Sequence, residues 1–269
     1  MDGLYLYAVR EKSKDSAVIS ARGVDEKSEV FVIRHRGLEA VVSTVCLEEF
    51  GSEQIQRKAR EDLNWIKEKS VAHETVIEKT MIGNGGVIAV LPMRFGIIFK
   101  DRTALENSLD ENYPRITKLL EKIRGKQEWS VKVYLEDRKK LEEVARAQSD
   151  TIRQKEKEIA GLPEGMAFFM EEELREIIAK EVDKKLNTTM DVLFEGLKKQ
   201  SVDSVKNKVL AKELTGKCEP MVLNAAYLVS EGKLENFKQV IEDLRRQMQA
   251  QGFYLQCSGP WPAFNFTSY

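Results

Sequence analysis

The sequence is poor in the side chains that most site chemistry needs. Its 269 residues include three cysteines and two histidines. Cys46, Cys218 and Cys257 are too few and too scattered for a disulfide framework or a zinc site. They read as buried, reduced thiols. A metalloprotease helix carrying His73-Glu74 would need a second histidine one turn on, where Ile77 stands. Cys46 lacks the electropositive surroundings that would make it a nucleophile for His73. Gly83-Asn84-Gly85-Gly86 follows a helical pattern and lacks Gly-Lys-Ser/Thr, so it reads as a helix cap and turn, not a phosphate loop. No apolar run approaches the ~20 residues that cross a bilayer. Leu4 to Val9 is short and has no basic lead, so no signal peptide is expected and the protein is expected in the cytosol. Net charge is −1, which provides no global field for nucleic acid. No cofactor, no metal, no nucleic-acid partner and no membrane partner are expected.

What is present is enough for two cores. Hydrophobic residues make up 42% and charged residues 32%. The pattern predicts an α+β protein of two domains, 1–125 and 126–269, each a mostly antiparallel sheet with helices packed on it. Leu4 to Val9 predicts a central strand, apolar on both faces. Glu29 to Arg34 and Leu38 to Val45 predict a hairpin turning at His35-Arg36-Gly37. One helix is predicted from Glu53 to Met81 and another from Arg102 to Arg124. Val87 to Leu91 and Phe95 to Phe99 look strand-like, split at Pro92.

The second half opens on the alternating strand Trp129 to Leu135. A mixed-charge helix, 137–159, and a better-buried one, 166–199, predict a long antiparallel hairpin. Strands at Ser204 to Lys212, Pro220 to Ser230 and Phe253 to Cys257, with a helix from Lys233 to Ala250, complete a ferredoxin-like split βαβ order.

Two features stand apart. Arg94 sits in the apolar stretch Leu91 to Phe99, and a buried guanidinium needs a carboxylate. Pairing with Asp62 or Glu74, near His73 on the first long helix, would lock helix to sheet; a grip on a partner is the alternative. His73 itself reads as a satisfied structural histidine. The last ten residues hold four aromatics and two prolines. Two prolines around Trp261 cannot sit inside a sheet. The segment reads as a strap that docks Trp261, with Phe264, Phe266 and Tyr269 progressively more available to partners.

Read together, the motifs resemble the gas vesicle GvpL/GvpF family. They are Tyr5-Leu6-Tyr7-Ala8-Val9, His73-Glu74 followed by Leu91-Pro92-Met93-Arg94-Phe95-Gly96, Trp129 to Tyr134, Asn224 to Val229, and Gly259-Pro260-Trp261-Pro262. The resemblance spans the chain in the family's order. Ile97 stands where the family often has threonine, and Ala263-Phe264-Asn265-Phe266 replaces its more usual Pro-Tyr-Ser-Phe. The resemblance implies a non-catalytic accessory factor of gas vesicle assembly. It would bind the hydrophobic shell protein GvpA and other Gvp proteins and be found in the cytoplasm with gas vesicles. A minor structural component of the vesicle wall is the alternative. Arg94, Trp261, Pro262, Phe264, Phe266 and Tyr269 are the expected partner-binding residues. Asp62, His73 and Glu74 are the expected structural ones.

Overall fold

The structure is a computed structural model that describes residues 1–12, 19–83 and 85–267. Contacts divide the chain into two compact units, Met1–Glu128 with Gly259–Tyr269, and Trp129–Ser258. The terminal segment, assigned from sequence to the second domain, groups with the first unit.

In the first unit, β1 (Asp2–Glu11) lies inside a sheet with β2 (Val30–His35) and β3 (Leu38–Cys46). The β2–β3 turn puts Arg36 at φ 46° and Gly37 at φ 83°, the two positive angles that a two-residue hairpin requires. Three helices follow: α1 (Leu47–Phe50), α2 (Ser52–Glu61) and α3 (Leu63–Thr80). The sequence predicts one helix here. Asp62 breaks it, because its carboxylate accepts the Trp65 N–H at 3.0 Å and caps α3. The expected glycine cap is instead a small hairpin of β4 (Ile82–Gly83) and β5 (Gly86–Val87); Asn84 lies outside the described residues. Then come β6 (Val90–Pro92) and β7 (Ile98–Phe99), both paired antiparallel to β1. Pro114 and the turn at Asn112 divide the next predicted helix into α4 (Arg102–Glu111) and α5 (Tyr113–Ile123). Both α3 and α5 pack against β1.

In the second unit, β8 (Lys126–Leu135) leads to α6 (Arg138–Gln148), α7 (Asp150–Ala160) and the 35-residue α8 (Glu164–Lys198). The mixed-charge helix is thus two helices. The Ser149 hydroxyl accepts the Ile152 N–H and starts α7. β9 (Asp203–Lys206), the short α9 (Lys212–Thr215), β10 (Met221–Ser230), α10 (Leu234–Ala250) and β11 (Phe253–Trp261) follow. The strands lie in the order β11–β8–β10–β9. Every second strand residue enters one core: Val131, Val133 and Leu135; Leu223, Ala225, Tyr227 and Val229; Phe253 and Leu255. They meet Ile178, Val182, Met190 and Leu193 of α8 and Phe237 and Ile241 of α10.

β11 corrects one expectation. The last strand does not stop at Cys257 but runs to Trp261, through a cis Gly259–Pro260 peptide. Proline is tolerated because β11 is an edge strand of its sheet. The cysteines correct another: Cys46 and Cys218 are exposed and Cys257 is half-buried.

A buried ion pair crosses the first sheet. Arg10 Nε donates to Glu39 Oε2 at 2.9 Å, with both side chains almost wholly out of water. The two residues face each other in the β1–β3 register. Glu39 Oε1 also accepts from the exposed Arg34 Nε at 3.2 Å, so removing Arg10 leaves the buried carboxylate with that one solvated cation, whereas replacing both Arg10 and Glu39 leaves an apolar contact. Arg10→Met should therefore lower stability in urea, by less than the roughly 3–5 kcal/mol of a wholly uncompensated buried charge because Arg34 remains beside Glu39, and Arg10→Met with Glu39→Leu should recover most of the loss. Equal losses in the single and double variants would show that the pair itself is not what holds the strands.

Candidate functional site

The arginine expected to lock helix to sheet is Arg10, not Arg94. Arg10 Nη1 also donates to the Thr80 carbonyl at 3.2 Å, at the C-terminal end of α3, where a cation is favoured. Arg94 is exposed and has no ion pair among the described residues. Asp62, its expected partner, instead caps α3 and is held below its ordinary pKa by the Trp65 N–H and then by Lys58. Glu74 is exposed on α3; partial desolvation and the nearby Glu78 charge raise its carboxyl.

His73 has both ring nitrogens occupied. Nε2 lies 3.1 Å from the Met93 carbonyl, which can only accept, so Nε2 carries the proton. Nδ1 then accepts the Tyr5 hydroxyl at 3.0 Å. The same hydroxyl oxygen accepts the Gly96 N–H at 2.9 Å. The ring packs among Tyr5, Tyr7 and Phe95. Burial lowers its pKa to about 4 and keeps the imidazole neutral. His73 and Tyr5 thereby pin both ends of the Met93-Arg94-Phe95-Gly96 turn, and Arg94 stands outward from that turn. His73, Glu74 and Arg94 do not converge: the first is sealed and the other two face solvent.

The terminal segment splits into a docked part and a displayed part. Pro262, Ala263, Phe266 and Thr267 are buried. Trp261 is 39% exposed and Phe264 38%. The expected gradient of increasing availability is wrong at Phe266, which is sealed, and Tyr269 lies outside the described residues. The dock is polar at its centre. Glu128 takes the Asn265 backbone N–H on Oε2 at 3.1 Å and the Asn265 amide on Oε1 at 2.6 Å. Lys122 donates to the Phe266 carbonyl at 3.3 Å and lies over its ring. Sequence reasoning placed a domain boundary at 125–127 and passed over Glu128. Its only signal was a carboxylate beside Trp129 at the head of a strand, which names no partner.

Beside the displayed Trp261 lies an open groove of about 350 Å³, lined by Glu78, Met81, Ile82, Val87, Gly259, Pro260 and Trp261. Most of the wall is apolar, and Ile82 is 63% exposed. Glu78 provides one charge at its edge. A groove of this size and lining suits a few apolar side chains of a polypeptide, with a cation near Glu78. Among the described residues, no group of three or more histidine, cysteine or acidic side chains could hold a metal.

The architecture is that of the gas vesicle F proteins. The crystal structure of the gas vesicle protein GvpF from Anabaena sp. PCC7120 shares the fold with a TM-score of 0.73, at 19% identity over 100% of this chain and 99% of that chain. The chain belongs to the gas vesicle synthesis protein GvpL/GvpF family, whose pattern matches residues 3–268. Gas vesicle protein L of Streptomyces sp. (strain CB03234) is 24% identical over 263 residues, 97% of this chain and 91% of that protein. Gas vesicle protein F of Nostoc sp. (strain PCC 7120) is 25% identical over 177 residues, 65% of this chain and 67% of that protein. Membership supports a role in gas vesicle formation, in a family of gas vesicle accessory proteins and not a known enzyme family.

The dock carries a pH signature. Burial raises the Glu128 carboxyl from its ordinary 4.5 to about 7, against the two Asn265 hydrogen bonds. The folded state then keeps a proton that the unfolded chain has lost, so this contribution is full below pH 4.5 and fades as pH rises through 7. His73 acts oppositely: its contribution is full above 6.5 and fades as pH falls toward 4. Glu128→Gln removes only the first. Urea unfolding should show this variant gaining about 2 kcal/mol relative to the unsubstituted protein between pH 5 and pH 8. A difference that stays flat over that range would mean that Glu128 does not titrate there.

Proposed function

We propose that this protein is a non-catalytic accessory factor of gas vesicle assembly that binds the hydrophobic shell protein GvpA and other Gvp proteins. The observation that carries the reading is the apolar groove beside Trp261, formed where the family's terminal motif meets the end of α3. A shell subunit with exposed apolar surface aggregates unless a partner covers it. The groove offers such cover, and Phe264 and the outward Arg94 add an aromatic and a cation as further contacts. His73, Asp62 and Glu74 act in support: the first holds the turn that presents Arg94, and the second starts the helix that carries the other two.

The reading places the protein in the cytoplasm, at growing vesicles. The highly charged faces of α6 to α8 favour a transient factor over a resident wall component. We also read the two compact units as two domains, and the second as ferredoxin-like with an inserted helical hairpin, on the strength of its strand order.

The test is capture of GvpA by co-expression. Trp261→Ala and Ile82→Glu should each weaken GvpA binding about tenfold or more, the usual cost of losing a central aromatic or charging an apolar contact. Ile82 is 63% exposed, so its variant should melt unchanged; Trp261 is more than half buried, so Trp261→Ala should melt lower but keep its circular dichroism at the temperature of capture. Undiminished capture by the double variant would remove the groove from the interface. Failure of the intact protein to capture GvpA at all would sink the wider reading. Washed vesicles should be free of the protein; its retention there would favour the wall-component alternative.

A further inference from the structure

The tip of the helical hairpin shows large apolar side chains to water. Met166 is 59% exposed, Phe168 71% and Phe169 77%. Two adjacent exposed phenylalanines on a helix are not explained by its own packing, because the buried row of α8 runs through Ile178, Val182, Met190 and Leu193 instead. The patch has an acidic collar, Glu171, Glu172 and Glu173. Glu172 is paired with Arg175 and Glu173 with Lys155, while Glu171 has no ion pair among the described residues.

The same unit carries a patch of opposite character. The connection between β9 and β10 exposes Val209 (47%), Leu210 (37%) and Leu214 (75%). Lys208 and Lys212 are interleaved with them, exposed and without an ion pair among the described residues. Glu213 lies between Lys212 and Leu214 and is exposed too, so this patch is apolar with two lysines against one carboxylate, a net positive charge, while the tip is apolar with net negative charge.

The two do not meet within one chain. The β9–β10 connection ends at Pro220, whose carbonyl accepts the Leu135 N–H at 3.0 Å. Three residues beyond Leu135, Arg138 pairs with Asp183 on α8. Asp183 lies fifteen residues from Phe168, roughly 22 Å along the helix. Both patches are exposed, so neither covers the other.

We propose that the occupant is a second copy of this chain: the hairpin tip of one molecule docks on the 208–214 segment of the next. Phe168 and Phe169 pack on Leu210 and Leu214, and Glu171 faces Lys208 or Lys212. A tip-to-tip contact would set carboxylates against carboxylates, so the interface joins two different surfaces. A bound pair then still offers one free tip, on one copy, and one free segment, on the other, which builds an open chain or a ring rather than a closed pair.

Sedimentation of the full-length protein tests this. Mass should rise with concentration and fall again as salt is raised, since the collar charges are exposed. A tip variant, Phe168→Ser with Phe169→Ser, and a segment variant, Lys212→Glu with Leu214→Ser, should each be monomeric, with association weakened at least about tenfold. Mixing the two variants should restore a single 1:1 complex, because each supplies the surface that the other lacks. All the substituted side chains are exposed, and unchanged melting would exclude misfolding. A monomer at every concentration overturns the proposal. So does association that survives both sets of substitutions, or a mixture that stays monomeric. None of these outcomes bears on GvpA capture through the Trp261 groove.

Discussion

Arg10 is the residue on which the first unit depends. A guanidinium with almost no water around it must find its charge and its hydrogen bonds inside the protein. It finds them in Glu39, opposite it on β3, and in the Thr80 carbonyl at the end of α3. Three elements far apart in sequence are thereby fixed at one point. The pairing also fixes register. Sliding β3 by one residue would turn Glu39 to the other face and take its carboxylate away from Arg10. Everything that later forms the candidate site hangs from this arrangement: α3 carries His73, and its last turn leads into Met81 and Ile82 of the groove.

The need for a buried arginine was legible in the sequence; which arginine was not. Arg94 lies in the more apolar stretch and drew the inference. Arg10 stands at the end of a strand, where periodicity gives no depth. The deciding information is the β1–β3 register, a pairing between residues 29 apart that no local window contains. The terminal dock shows the same limit. Aromatics and prolines at the chain end signal packing, but Asn265 and Glu128 are 137 residues apart, and neither type announces a partner.

Elements themselves were more legible than their interruptions. The central strand, the first hairpin and the second core's alternation follow from apolar spacing alone. Of the five long helices read from that spacing, three are cut, at Asp62, Asn112 and Ser149, and those over 166–199 and 233–250 stay whole. Asp62 and Ser149 turn the side chain back onto a backbone N–H, a competition that apolar periodicity does not register. Pro114 does the equivalent at Asn112 by withdrawing a donor. The seemingly continuous pattern survives each cut because the next helix starts within a residue or two, close enough to keep the apolar rows in step.

Apolar side chains shown to water work against a protein's solubility. This chain keeps its apolar displays small and puts charge at their edges. The groove beside Trp261 has Glu78 at its rim. The phenylalanines of the hairpin tip are followed, after Met170, by three glutamates. Such charge does not prevent binding, but it decides with whom. A bare apolar patch would join any other, including its own copy face to face; a carboxylate rim penalises that contact and rewards a partner carrying lysine or arginine. Phe266, Pro262 and Ala263 are buried by the Glu128 latch, so the aromatic tail shows only Trp261 and Phe264 among its described residues. The latch thus sets how much of the tail is exposed, and does so through a carboxyl that burial raises to about 7.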